Sequence, residues 1–383
     1  MIAPRLEIDL GKIQHNARTL VERLARRGIS VTGVTKAALG STEIADAMLL
    51  AGVSGLGDSR IENIELMRSS HMFARLSLIR PPMLSQAERV VRSADVSFNT
   101  ELEVIRRLSS EAGKLGRTHA VVLMVELGDL RDGIMPDDLV AAVRETLRLP
   151  NILFKGIATN LACQNGVSPD DSNMGELSRL AALIEATFDI SIEVVSGGNS
   201  ANLEWAFDGE YTGRINNLRL GESILLGREA LQRKAIYGLY TDAIMLVAEV
   251  IESKLKPTQP VGELVPNAFG VRPKVVDRGT VVQAILAIGI QDVDVGGLQP
   301  SKGIEILGGS SDHLVVTSGV GNLAVGAEMT FQLNYSAMLR AMTSPFVTKS
   351  FESASNGSTL HRSIGRIKGP SRADILMDTS LQT

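Results

Sequence analysis

The sequence predicts an α/β chain: a (β/α)8 TIM barrel followed by a mostly β C-terminal domain. Three observations carry this prediction. Short apolar runs rich in β-branched residues alternate with amphipathic stretches over residues 29–230. Eight such runs fall in that interval, and eight strand–helix units in roughly 200–250 residues is the size of this barrel. Near residue 235 the texture changes to strand-like runs separated by Gly, Pro and Asp, with no helical period until 336–342. A doubly wound open sheet is the rival reading of the first part.

The first strand is read at 29–35, where Val31 and Val34 flank Gly33. A helix follows at 42–51, with Ser41 as its N-cap. Further strands are expected at 55–57, 76–79, 96–98, 120–126, 152–158, 192–195 and 215–218. A helix begins at Ile61, and helical periods lie at 101–115, 137–149 and 174–187. Strands alternating with helices imply right-handed crossovers and a parallel sheet. The second part offers strands at 243–252, 261–265, 281–288, 303–307, 314–317 and 328–333. The organisation expected is therefore a barrel over 1–232, a β domain over 233–351 and a loosely ordered Ser/Asn/Gly-rich tail over 352–383.

Several function classes fall on composition. Lys and Arg number 39 against 43 Asp and Glu, so no excess of positive charge points to nucleic acid or an anionic membrane. The longest apolar run near the end is too short to span a bilayer. The N-terminus lacks an apolar signal core, and the one cysteine, Cys163, cannot form an intrachain disulfide. Both lead us to expect a cytoplasmic protein. The five histidines are scattered without zinc-site spacing, so no metal is expected. Gly319-Val320-Gly321 approaches a dinucleotide fingerprint, but it lies in the β half with no following helix and is discounted.

In a barrel of this kind, chemistry gathers at the carboxyl ends of the strands. Lys36 ends the first. Partial desolvation there would lower its pKa and make the amine a Schiff-base nucleophile. The alternative is a lysine snorkelling at a strand end. Ser196-Gly197-Gly198-Asn199-Ser200 ends the seventh strand and opens a helix. Its glycines let a phosphate approach the backbone, and Ser200 supplies a hydroxyl. An ordinary Gly turn with a Ser/Asn cap is the alternative. Arg219 ends the eighth strand, able to hold a phosphate, a carboxylate or a ring nitrogen; a barrel-mouth ion pair is its alternative. Arg131 has Asp129 and Asp132 as neighbours and could simply be paired with them. Lysine, phosphate seat and arginine together would surround a phosphorylated aldehyde, and pyridoxal 5′-phosphate is the cofactor that needs all three.

With these residues in view, the sequence resembles the alanine-racemase type of pyridoxal-phosphate enzyme, and within it the ornithine racemases and related amino-acid racemases. The resemblance runs to about Phe351. It rests on Val34-Thr35-Lys36-Ala37, Gly57-Asp58-Ser59-Arg60-Ile61-Glu62-Asn63, Gly197-Gly198-Asn199-Ser200-Ala201, Asn217-Leu218-Arg219-Leu220-Gly221-Glu222, Gln291-Asp292-Val293-Asp294, Ser310-Ser311-Asp312-His313 and the stretch from Leu339 to Pro345.

The resemblance implies that Lys36 bears the cofactor and moves protons on one face of the substrate α-carbon. It implies that Ser196, Gly198, Asn199 and Ser200, the backbone of Gly221 and Glu222, and Tyr335 form the phosphate side. Arg131 would lie near the substrate carboxylate. Arg219 would face the pyridine nitrogen, where related decarboxylases carry a glutamate within Glu-Pro-Gly. A cation there opposes ring protonation and favours simple proton removal and return.

Three positions depart from the family pattern. Gly40 stands where alanine racemases carry a tyrosine, and Asn160 where they carry a histidine near the ring. Residues 265–270 lack the tyrosine that serves as the second base. His313 is the substitute preferred for that base, with a structural turn histidine as the alternative. Asp312 falls where relatives contact a distal substrate amine, which suits ornithine or lysine. A homodimer is implied in which each β domain completes the other site. A racemase of alanine or another amino acid, a decarboxylase and a non-catalytic pyridoxal-phosphate carrier are the competing readings.

Overall fold

A computed structural model describes residues 2–70, 73–209, 211–272, 276–319 and 323–352. Of the expected features, residues 353–383 of the tail, and Val320 and Gly321, lie outside the described residues. No helix among the described residues is long and apolar enough to cross a membrane.

The chain opens with strand β1 (Arg5–Asp9) and helix α1 (Leu10–Ala25). Eight strands follow: β2 (Ser30–Val34), β3 (Gly55–Asp58), β4 (Leu76–Leu78), β5 (Val96–Asn99), β6 (His119–Met124), β7 (Ile152–Ala158), β8 (Val194–Ser196) and β9 (Asn217–Leu220). All pair in parallel with their neighbours, and β9 pairs back onto β2, so the barrel is closed. The open-sheet alternative is thereby excluded. Between these strands run α2 (Thr42–Leu50), α3 (Ile61–Ser70), α4 (Ala87–Ser93), α5 (Leu102–Lys114), α6 (Pro136–Leu147), α7 (Asp171–Phe188) and α8 (Leu203–Asp208), and α9 (Glu222–Leu226) follows β9.

Local chemistry sets the helix starts. The Asp9 carboxylate accepts from the Lys12 N–H at 2.9 Å, and Ser41 caps α2 as expected. α7 starts three residues earlier than its apolar period suggests. A reciprocal cap explains this: Asp170 accepts from the Asn173 N–H, and Asn173 accepts from the Asp170 N–H. Barrel strands covered on both faces need apolar side chains on both, and every residue of β6 is buried. A small inner cluster of Phe98, Val122, Met124 and Ala158 fills the lumen, separate from the large core between strands and helices.

The second sheet contains β10 (Ile244–Pro257), β11 (Thr280–Leu286), β12 (Leu298–Pro300), β13 (Ile304–Gly309), β14 (Leu314–Ser318) and β15 (Glu328–Leu333). Helix α10 (Tyr335–Thr343) and strand β16 (Thr348–Glu352) complete it. The strand expected at 261–265 does not form. Pro260 and Pro266 lack backbone donors and Gly262 sits at φ +112°, while β10 instead extends to Pro257.

β1 was not anticipated. It does not join the barrel but lies between β10, antiparallel with Leu6 opposite Leu246, and β16, parallel with Leu6 opposite Lys349. Leu6 and Ile8 are fully buried there, each stabilising the join by about 1.5–3 kcal/mol. Arg5 reinforces it. Its guanidinium donates to both carboxylate oxygens of Glu328 at 2.5 and 2.7 Å and to Glu7 at 2.6 Å.

Arg5→Ala should therefore cost about 1–3 kcal/mol, because a buried, charge-assisted fork is lost while Glu328 keeps access to water. Denaturant unfolding measures this, and an unchanged midpoint would rule out a stabilising role for the fork.

Candidate active site

A cavity of about 220 Å³ opens at the carboxyl end of the barrel. Lys36, Asn160, Asn199, Ser200, Arg219, Gly221, Glu222 and Tyr335 line it together. They come from four strand ends and the start of α10, so closure of the barrel brings them to one place.

Lys36 begins a short 3-10 turn, Lys36–Ala38, directly after β2. The preceding residue is locked, since the Thr35 hydroxyl donates to the buried Asp58 carboxylate at 2.8 Å. The Lys36 amine has no hydrogen-bond or ion-pair partner among the described residues. Burial lowers its pKa, and the nearby Arg131 and Arg219 cations push the same way, against Cys163 and Asp58. The turn continues through Gly40 at φ +67°. A side chain there would start only 2.8 Å from Asn63 Cβ, so this backbone has no room for a tyrosine.

Arg219 is 5% exposed on β9. It donates to Ser196 Oγ at 2.6 Å and to the Thr159 carbonyl at 2.7 Å, and its guanidinium lies 5.1 Å from the Phe98 ring centre. Ser196 donates onward to Asn217 Oδ1 at 2.7 Å, and Asn217 donates to Ser30 and Thr32. Burial and the neighbouring Arg131 bring the Arg219 pKa down to about 10, so it stays charged at neutral pH. Ser196 is thus an anchor for Arg219 and does not itself line the cavity.

The loops after β8 and β9 are tied together on the opposite side. Ser200 Oγ accepts from the Ser223 N–H at 3.2 Å and shares a 3.0 Å hydrogen bond with the Ser223 hydroxyl. Gly198 sits at φ +141°, and a Cβ there would collide with Asn202. The Asn199 side chain accepts from the Ala201 N–H at 2.8 Å and donates to Asn160 Oδ1 at 3.1 Å. The Tyr335 hydroxyl has no partner among the described residues. Burial, reinforced by Glu222, pushes its pKa up to about 12, so it remains a donor. The Glu222 carboxyl is raised by burial and pairs with Arg233 at the cavity wall.

Other expected residues lie outside this lining. Arg131 pairs with Asp132, and its charge reaches Lys36 and Arg219 without its side chain lining the cavity. Asp312 and His313 form an exposed pair, 3.1 Å apart, in the turn between β13 and β14. The single chain does not bring them to Lys36.

Residues the sequence reading passed over include Cys163, Arg233, Thr35, Asp58 and Asp129. Cys163 and Arg233 line the cavity. Asp129 is fully buried and accepts from the backbone N–H groups of Cys163, Gln164, Asn165 and Val167. Burial pushes its carboxyl up, but these donors win and hold it below the usual range. The only sequence signal for Cys163 was its place three residues beyond Asn160 in a strand-end loop.

The family described as alanine racemase, N-terminal domain, matches residues 8–229. The chain belongs to the alanine racemase family. Within reach of that family, the ornithine racemase of Acetoanaerobium sticklandii is 38% identical over 351 residues, covering 90% of this chain and 99% of that one. The lysine racemase of Thermotoga maritima is also 38% identical, over 354 residues, covering 92% and 99%. Among solved structures, an alanine racemase from Streptomyces coelicolor A3(2) superposes with a TM-score of 0.72 at 18% identity, covering 92% of this chain and 98% of that one. That likeness is one of fold.

Asp129→Ala should release the 163–167 loop, lose about 2–4 kcal/mol and speed amide exchange at those four positions. The carboxyl is held low in the folded state, so its contribution is present above its unfolded pKa of about 3.9 and lost as pH falls through the lower folded value. Unfolding curves of the two proteins should converge in acid. A gap that persists well below pH 3 would contradict the assignment.

Proposed function

We propose that this chain is a pyridoxal 5′-phosphate-dependent racemase interconverting the L and D forms of a basic amino acid, ornithine or lysine. The full-length identity to relatives named for those two substrates supports the substrate class. The observation that carries the reaction type is the buried Arg219 cation held beside the free Lys36 amine in one cavity.

The residues fit the cofactor. Two donors, the Lys36 amine and the Tyr335 hydroxyl, stand in the cavity without partners among the described residues, and Gly221 lines it with no side chain in the way. Lys36 would hold the aldehyde carbon. Ser200, the backbone of Gly221 and Glu222, and Tyr335 would hold phosphate, with Asn199 and Asn160 fixing that wall. When bound, pyridoxal phosphate supplies an electron sink that makes the α-hydrogen of an amino acid acidic.

The protein directs that acidity. The lowered pKa of Lys36 leaves a larger fraction of neutral amine able to take a proton from the α-carbon. Arg219 sets a positive charge where a ring nitrogen would lie, disfavouring its protonation. By that charge Arg219 would favour proton return over loss of carbon dioxide. Arg131 would orient the substrate carboxylate. In a cytoplasmic homodimer, the partner's turn carrying Asp312 and His313 would reach the site, Asp312 pairing with the distal ammonium.

Incubation of the holoenzyme with L-ornithine or L-lysine in deuterium oxide should abolish optical rotation and place deuterium at the α-carbon. Lys36→Ala should lose the visible band of lysine-bound pyridoxal phosphate and at least about 10³-fold in rate. Carbon dioxide and a diamine without D-product would establish decarboxylation instead. Absence of turnover with an intact visible band would favour cofactor handling.

A further inference from the structure

Racemisation moves a proton off one face of a planar carbon and returns one to the other, so two carriers must face each other across the substrate. Lys36 is one. The chain has no tyrosine in 265–270, and His313 does not line the cavity of its own chain, so it could serve only from a partner subunit, whereas Cys163 lines the cavity beside Lys36.

We propose that Cys163 is the acid–base group on the second face. This rests on the racemase reading above. The thiol is not an isolated feature, because it lines the same cavity as the unpartnered Lys36 amine. Lys36 follows β2 and Cys163 follows β7. Around the closed barrel, β8 and β9 separate those strands on one side and β3 to β6 on the other. The two groups therefore reach one cavity from non-adjacent strands of the ring. Cys163 is close enough to bear electrostatically on the Lys36 amine.

The sulfur is also held. Asn160 Nδ2 donates to Sγ at 3.0 Å and Asn199 Nδ2 approaches it at 3.6 Å. Asn199 in turn donates to Asn160 Oδ1 and to the Leu161 carbonyl, so the amide pair is fixed at both ends. Ala162 takes a left-handed φ of +55°, and the four Asp129 acceptor bonds hold the loop beyond it. Cys163 is the sole cysteine of the chain, so its modification can be read without ambiguity.

The proton balance closes. For one enantiomer, neutral Lys36 accepts the α-proton and the Cys163 thiol donates its own to the opposite face, leaving ammonium and thiolate. Exchange with water returns the ammonium proton and restores the thiol. The other enantiomer runs the same steps in reverse, with thiolate as the base.

Two experiments on the intact protein test this. In the first, Cys163→Ala and Cys163→Ser holoenzymes keep the visible band but lose about 10²-fold or more of racemisation. They still exchange the α-hydrogen of one enantiomer for deuterium with retention, through Lys36 alone, while the other enantiomer stays inert. In the second, iodoacetamide alkylates Cys163 in apoprotein, followed by mass spectrometry, and pyridoxal phosphate protects it. Racemisation by Cys163→Ala within a few-fold of wild type overturns the assignment and returns the second face to His313. So does alkylation at one rate with and without cofactor. Wild-type enzyme that neither racemises nor exchanges any basic amino acid would defeat the racemase reading itself, a separate outcome.

Discussion

A buried guanidinium without a carboxylate partner among the described residues organises this molecule. Arg219 sits at the barrel mouth, where a serine hydroxyl and a backbone carbonyl accept from it and the face of Phe98 lies 5.1 Å away. Burying a cation this way is costly unless every donor is answered. The answer runs down the lumen through Ser196 and Asn217 to Ser30 and Thr32. The polar thread links β7, β8, β9 and β2, so the strands that close the barrel also hold the charge that defines its chemistry.

Opposite in sign, two carboxylates shape the loops above it. Glu126 accepts from the backbone N–H groups of Gly128 and Leu130, and Asp129 gathers the loop after β7. Both turn backbone donors inward that would otherwise need water. The result is a rim whose side chains are aimed before any ligand arrives. Rigid aiming matters here, because proton transfer falls off steeply with misplacement.

The two structural units are joined through β1, the first strand of the chain, inserted between β10 and β16 of the last part. The β domain is therefore pinned to the barrel from both ends of the sequence. Tyr335, at the start of α10, consequently reaches the barrel cavity from the second unit.

The barrel was legible in the sequence because alternation of apolar runs with helical periods is a local signal, repeated eight times. Lys36, Ser200 and Arg219 were legible for the same reason, each following a readable strand. The strand expected at 261–265 failed because apolar composition alone does not overcome prolines without donors. β1 was invisible because its partners lie more than two hundred residues away. Cys163 read as a sign of compartment until the loop after β7 was seen folded over the mouth. Its proposed role depends on sharing one cavity with Lys36. Chain order determined which residues stand at strand ends; only closure of the barrel, which pairs β9 with β2 and brings the ends of β2, β7, β8 and β9 to one cavity, decided which of them meet.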